Sequence, residues 1–245
     1  MRLIVSIITS LLFFALGGAM LVLMHPIQYA SLRLGGARAQ QKVITFSARL
    51  MLFFLRVTGA RIAVRGNTQL PDNRPIILVS NHQSLFDIPL IQVYFARLSP
   101  KYIAKHQLGK HFPSVSIALR YNGSVLIDRD NQAQAIRQIF ELGQRITETN
   151  HAAVIFPEGS RHRDGIVHPF KSAGLKALLK KTPQAHIVPI VIQGNAQLFR
   201  RSRFFICFGT RIQLNVLEPV GQNGKTADEL IAEIHEKMQA AMEST

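Results

Sequence analysis

Hydrophobic positions fall along this chain in two regimes. Leu3 to Met24 is 22 residues without a charge, and as a helix rising about 1.5 Å per residue it matches the ~30 Å hydrocarbon core of a bilayer. A cleaved signal segment is the competing reading. The small-x-small triplet Ala37-Arg38-Ala39 lies beyond the usual limit of about 30 residues for such a segment, so a retained membrane helix is expected. A second apolar segment, Lys42 to Arg56, is too short and too charged to span comfortably. Its Lys42, Arg49 and Arg56 recur every seven residues and form one basic stripe on a helix, with Ile44, Phe46, Leu50, Phe53 and Phe54 on the other sides. That pattern predicts a helix in the headgroup layer with its cations toward lipid phosphate. Core packing with a solvated edge gives the same pattern, but no Asp or Glu precedes Asp72, which favours the membrane. Gly35-Gly36 marks the hinge between the two helices.

The pattern changes near Arg61. Short apolar runs predict strands at Arg61–Val64, Ile76–Ser80, Tyr102–Ala104, Ser124–Ile127, Ala153–Phe156, Ile187–Ile192, Phe204–Phe208 and Arg211–Val216. Helical periodicity lies between them, at Asp87–Leu98, Asn131–Thr147, Ser172–Lys181 and Ala227–Glu243. The last of these opens with Thr226 and Glu229 in capping-box spacing. Strands interleaved with helices predict an α/β layer fold, a mostly parallel or mixed central sheet flanked by helices. The organisation expected is an anchor with an interfacial helix over residues 1–60 and a catalytic domain over 61–245.

Charge narrows the partners. Lys and Arg total 29 against 14 Asp and Glu, a net charge of +15, so an anionic partner is expected. The chain has no tryptophan and no stripe of stacking aromatics, which points away from nucleic acid and toward membrane lipids. Arg33, Arg38 and Lys42 follow the first helix while Arg2 precedes it, and the positive-inside bias then places the main body on the cytoplasmic side. The single cysteine, Cys207, excludes an intrachain disulfide and fits a reducing compartment.

Three motifs carry chemistry. Asn81-His82 follows one strand, with Asp87 five residues beyond the histidine; "GSVLIDR" is a strand ending on Arg129; "VIFPEGSR" runs into Glu158, Gly159, Ser160 and Arg161. Ligands of open α/β sheets gather outside the carboxyl ends of strands, so the three sets are expected to meet. An imidazole beside a carboxylate accepts protons near neutral pH. No G-x-S-x-G elbow supplies a nucleophile, since "FKSAG" has Phe170 in the place of its first glycine. The hydroxyl to be activated then belongs to the substrate, and attack on an activated acyl group follows. Arg129 and Arg161 suit a phosphate, with Lys105 as a further point charge. Taken singly, each motif has a plainer reading: a structural His82–Asp87 hydrogen bond, a surface Arg129, a Glu158–Arg161 pair. Five residues is about 140° around a regular helix, so Asn81 to Phe86 is expected to be a turn with Ser84 as helix cap. His162, Asp164 and His168 match no common metal spacing and read as loop residues.

With these residues in place, the chain resembles the glycerolipid acyltransferases, the family of the 1-acyl-sn-glycerol-3-phosphate acyltransferases. Asn81-His82-Gln83-Ser84-Leu85-Phe86-Asp87 is similar to its N-H-x-x-x-x-D block, "GSVLIDR" to its second, "FPEGSR" to its third with Ser160 where threonine is common, and "IVPIVI" to its fourth. The blocks occur in order from Ile76 to Ile192. The resemblance implies that His82 is the base and Asp87 its orienting partner, and that Lys105, Arg129 and the Glu158-Gly159-Ser160-Arg161 stretch bind the acceptor's glycerol phosphate. It implies acyl-CoA or acyl-carrier protein as donor, lysophosphatidic acid as acceptor, phosphatidic acid as product, and no metal or organic cofactor. Oxyanion donors are expected among backbone amides near Gly159. The hairpin in front is typical of bacterial members, which implies a bacterial plasma-membrane location. Transfer to another lysolipid such as lyso-ornithine lipid, or thioester hydrolysis, are the alternatives.

Overall fold

The computed structural model describes residues 2–200, 204–222 and 224–244. Helix α1 runs Arg2–Val57 and is broken at Gly36, whose φ of 65° and ψ of −165° are not helical and suit a residue without a Cβ. The expected hinge is therefore present, and the chain folds back on itself. A Cβ on Gly17 would lie 3.7 Å from Sδ of Met51, whereas a straight helix would hold those residues about 50 Å apart. By length and composition α1 is apolar enough to cross a membrane. Its first arm nevertheless lies along the rest of the molecule. Ser6 and Ser10 hydroxyls accept the N–H groups of Phe208 (3.0 Å) and Ile206 (2.7 Å). Toward the other end, His25 Nδ1 accepts the Ser114 N–H (2.9 Å) and Gln28 bonds the Ser114 hydroxyl. Ile4, Ile8, Leu11, Val22 and Leu23 stay exposed on the free side.

Among the described residues seven strands form one sheet: β1 (Arg61–Arg65), β2 (Ile76–Ser80), β3 (Lys101–Lys105), β4 (Val125–Ile127), β5 (Ala152–Ile155), β6 (His186–Gln193) and β7 (Arg211–Val216). Their order is β1-β7-β6-β2-β5-β3-β4. Every neighbouring pair is parallel except β6 and β7, so the mixed sheet flanked by helices is as expected. Strand β2, "IILVS", is buried throughout, as a central parallel strand covered on both faces must be. Ile76 and Leu78 share a buried cluster with α1 and α2 (Asp87–Tyr94); Ile77 and Val79 share another with α5 (Gln132–Thr149), α6 (Ser172–Lys181) and α7 (Ala227–Glu243). Phe13, Leu52 and Leu55 of α1 belong to the first cluster. The segment before residue 60 thus supplies one wall of the core as well as an exposed apolar face.

Some elements differ from the pattern's expectation. Phe204–Phe208 forms bends and a turn instead of a strand, because the amides of Ile206 and Phe208 are taken by α1 serines and that of Cys207 by the Leu198 carbonyl (2.8 Å). The helix beginning at Asp87 stops at Tyr94, and a 3-10 turn at Ala96–Leu98 continues it. Helices α3 (Leu108–His111) and α4 (Val115–Tyr121) fill the link between β3 and β4; at one or two turns each they are too short for periodicity to reveal. The Thr226–Glu229 capping box is formed, and Leu230, Ile231, Ile234 and Met238 are buried.

Candidate active site

Register builds the centre of the site. Strands β2 and β5 are parallel neighbours with Val79 opposite Ile155, and the same register carried three positions further sets His82 against Glu158. The His82 N–H donates to Glu158 Oε1 (3.3 Å), the His162 N–H donates to the His82 carbonyl (2.8 Å), and the His82 ring stacks on Phe156 at 4.2 Å. On the other side Asn81 replaces a strand rung. Its Nδ2 donates to the Ile192 carbonyl (2.9 Å) and its Oδ1 accepts the Ile192 N–H (2.7 Å). The turn that carries His82 is thereby tied to β5 and β6 at once.

His82 Nδ1 donates to Asp87 Oδ2 at 2.7 Å. The same oxygen accepts the N–H groups of Gln83 and Ser84, each at 2.8 Å, and Oδ1 accepts Asn195 Nδ2 at 2.5 Å. Asp87 is fully buried, and an ionised carboxylate is held there only by such a complement of donors. With its proton fixed on Nδ1, the imidazole presents Nε2 as a base, and the His82 side chain is 16% exposed. Five residues separate the pair without difficulty because residues 82–86 turn and α2 begins only at Asp87. Ser84 makes no side-chain cap bond to α2; its Oγ accepts the Phe86 N–H within the turn (3.4 Å), and its own N–H donates to Asp87.

The third motif divides its work. Glu158 is 3% exposed, and burial pushes its carboxyl up to about 7 against the opposing hydrogen bond from the His82 amide. Oε2 has no partner among the described residues. Glu158 therefore braces the His82 turn, and among the described residues it forms no salt bridge with Arg161. Gly159 has φ +74°, and a Cβ there would meet Lys171 Cδ at 2.9 Å and Nζ at 3.2 Å. Its N–H already donates to the Phe156 carbonyl (3.0 Å), which removes this amide as an oxyanion donor. Ser160 Oγ lies 2.9 Å from His162 Nε2.

The cations lie along the same carboxyl edge. Arg161 follows β5, Lys105 ends β3 and Arg129 follows β4. Lys105 and Arg129 stand two and three strand positions from β2, about 10 and 14 Å across at ~4.8 Å per strand. All three are exposed, and among the described residues none is in a salt bridge. Sequence reasoning missed Lys171 and Asn195. The first sits in "FKSAG", a stretch without the glycine pattern of a nucleophile elbow; the second follows β6 with no local signal linking it to Asp87. The loop after β5 also gathers His162, Asp164 and His168, whose potential ligand atoms lie within 4.8 Å of one another. His168 Nε2 is 2.6 Å from Asp164 Oδ2 and the two histidine rings stack at 3.7 Å. Tertiary folding thus clusters three residues whose spacing suggested only a loop.

The site thus consists of an imidazole–carboxylate pair where β2 ends in a mixed α/β sheet, with cations at the neighbouring strand ends. The Acyltransferase family model matches residues 61–193, more than half of the chain, and the chain belongs to that family. It is 32% identical over 186 residues to the human 1-acyl-sn-glycerol-3-phosphate acyltransferase alpha, covering 75% of this chain and 64% of that protein. The human beta protein of the same name is 31% identical over 203 residues, covering 82% and 70%. The chain thus spans slightly less than two thirds of the length of the alpha relative. The crystal structure of the 1-acyl-sn-glycerophosphate (LPA) acyltransferase PlsC from Thermotoga maritima is similar with a TM-score of 0.83 and 28% identity, over 100% of this chain and 97% of that one.

Proposed function

We propose that the chain transfers an acyl group from a thioester to the sn-2 hydroxyl of 1-acyl-sn-glycerol 3-phosphate, forming phosphatidic acid. The observation that carries this reading is the 2.7 Å bond from His82 Nδ1 to the buried Asp87 carboxylate, which leaves Nε2 as the base. The names of the relatives and of the similar structure support the acceptor. In the reaction the acceptor oxygen attacks the thioester carbonyl carbon while its proton passes to His82 Nε2. The tetrahedral intermediate then expels the thiolate, the C–S bond breaks, and the thiolate takes the proton from His82. Asp87 holds the imidazole in one tautomer and steadies the imidazolium between the two steps. Arg129, Arg161, Lys105 and Lys171 receive the acceptor phosphate, and Glu158 holds the His82 turn. No step calls for a metal or an organic cofactor.

Acceptor and product are amphiphiles, which gives the exposed apolar side of α1 a purpose. We place that face in the membrane, with Lys42, Arg49 and Arg56, all exposed, at the headgroups. The cytoplasmic leaflet of a bacterial plasma membrane fits the positive-inside bias.

The test compares purified wild type with His82→Ala, using lysophosphatidate and acyl-CoA, and measures thiol release and phosphatidate together. Both should disappear in the variant while vesicle binding persists. Retained turnover contradicts His82 as base. Fatty acid released without acceptor makes the protein a thioesterase, and equal activity on a phosphate-free lysolipid such as lyso-ornithine lipid removes the role of the phosphate.

A further inference from the structure

A second cationic region lies on the other side of His82. Because β7 runs antiparallel to β6 and β1 runs parallel to β7, the amino ends of β7 and β1 reach the edge at which β2, β5 and β6 end. Arg61 and Arg211 are register partners there. Arg200 follows the 3-10 helix Asn195–Phe199, and Arg163 comes from the loop after β5, its guanidinium 5.8 Å from the Phe199 ring. These four arginines line one groove of about 680 Å³, of which Gln83, the neighbour of His82, forms part of the wall. The acid in that lining is Asp164, and it is taken by His168 at 2.6 Å. Among the described residues none of the four guanidinium groups has a carboxylate partner.

Four uncompensated guanidinium groups on one concavity select a polyanion with several phosphate oxygens. The volume is that of a small-molecule site, within the usual range of about 300–1,000 Å³. Gln197 in the lining is exposed and adds an amide able to bond a base or a carboxamide, whereas Gln83 is buried with its Oε1 accepting the Ala196 N–H (3.2 Å). The groove's lining does not include Lys105, at the end of β3, or Arg129, which follows β4, both beyond β5. We propose that it binds the phosphorylated nucleotide end of a coenzyme A type thioester, so that the arm runs past Gln83 and delivers its carbonyl to His82. A folded acidic carrier protein would meet these cations across an open face; their convergence in a groove favours the nucleotide. The proposal rests on the acyltransferase reading and adds the donor's class and place.

The experiment uses the full chain and the double variant Arg61→Ala/Arg211→Ala, two exposed positions outside the His82 machinery. Expected is a rise of about tenfold or more in KM for acyl-CoA, from two lost charge-assisted phosphate contacts, with kcat and the KM for lysophosphatidate within about twofold of wild type. Adenosine 3′,5′-bisphosphate should compete with acyl-CoA in the wild type and lose affinity in the variant. An unchanged donor KM overturns the proposal. So does a shift in the acceptor KM alone, which would make the groove a lysolipid headgroup site, or a shift seen only with acyl-carrier protein as donor. Titration of both proteins with adenosine 3′,5′-bisphosphate reads the groove without turnover, so a failure of the acyltransferase reading would not be mistaken for a failure of this one. An unaltered thermal melt in the variant assigns the change to binding. Should the double variant not fold, Arg163→Ala and Arg211→Ala singly give the same readout, and nucleotide affinity unchanged in both overturns the assignment.

Discussion

The two flanks of His82 are both basic, but they are made differently. On the β5–β3–β4 side each cation follows a parallel strand: Arg161 after β5, Lys105 at the end of β3, Arg129 after β4. On the β6–β7–β1 side Arg211 and Arg61 stand at strand beginnings, brought to the same edge by the antiparallel pairing of β7 with β6. In the transfer proposed above donor and acceptor are both anionic, and two basic regions give each its own place. A reversed strand beside a parallel array provides the second region with no change to the first.

The comparison can be broken at its centre first. Asp87→Asn keeps the shape of the side chain but loses the charge facing Nδ1, and kcat with saturating donor and acceptor should fall about 10²- to 10⁴-fold. A fall in KM alone would show that the two flanks work without the dyad. Next, Arg161→Ala and Arg129→Ala should each raise the KM for lysophosphatidate about tenfold or more while leaving the acyl-CoA KM in place, the opposite signature to the β7–β1 arginines. Donor effects from these variants would merge the two flanks into one site. Asn195→Ala should cost about tenfold in kcat, because Asp87 Oδ1 loses its donor and a buried hydrogen bond to a charged group contributes roughly 1.5–3 kcal/mol. As Asn195 acts through Asp87, the acidic limb of the pH–kcat profile should move with it; a profile of unchanged shape would make Asn195 merely structural.

Smaller effects sharpen the picture. Glu158 holds a carboxyl at about 7 against an ordinary value of 4.5, so the folded state binds the extra proton between those limits. Stability falls as pH rises across that window and levels off above it. Glu158→Gln removes this dependence, so its stability relative to wild type should rise on going from about pH 5 to about pH 8 by no more than about 3 kcal/mol, followed by thermal melts. A flat difference would contradict a Glu158 carboxyl raised by burial. Smallest of all, EDTA should change turnover by less than about twofold, since the proposed proton transfer runs through His82 alone. A larger loss restored by zinc would give the His162, Asp164 and His168 cluster a function.

Much of this was legible in the sequence for identifiable reasons. The runs "IILVS" and "IVPIVI" are the length of strands and too apolar for an exposed face, so they became central strands. His82 and Asp87 share one turn, a local relation that spacing states directly. Glu158 was legible as a site residue but not in its role: only the pairing of β2 with β5 turns it inward, beneath the His82 amide. Asn195 bonds a carboxylate more than a hundred positions away, and no local pattern marks such a bond. Phe204–Phe208 failed as a strand because its amides found serine hydroxyls on α1.

By itself the sequence determined what depends on neighbours along the chain: an apolar hairpin hinged at Gly36, the run of strands and helices, a histidine and an aspartate in one turn, and the excess of positive charge. The tertiary structure decided what depends on strand order. It joined β2 to β5 and β6, gave Asp87 the amide of Asn195, and reversed β7 so that a second set of arginines reached the edge that carries His82. The reason is physical: hydrophobic periodicity and turn chemistry act over a few residues, whereas strand partners are chosen by burying two faces of a sheet at once, a choice that only the assembled core can make.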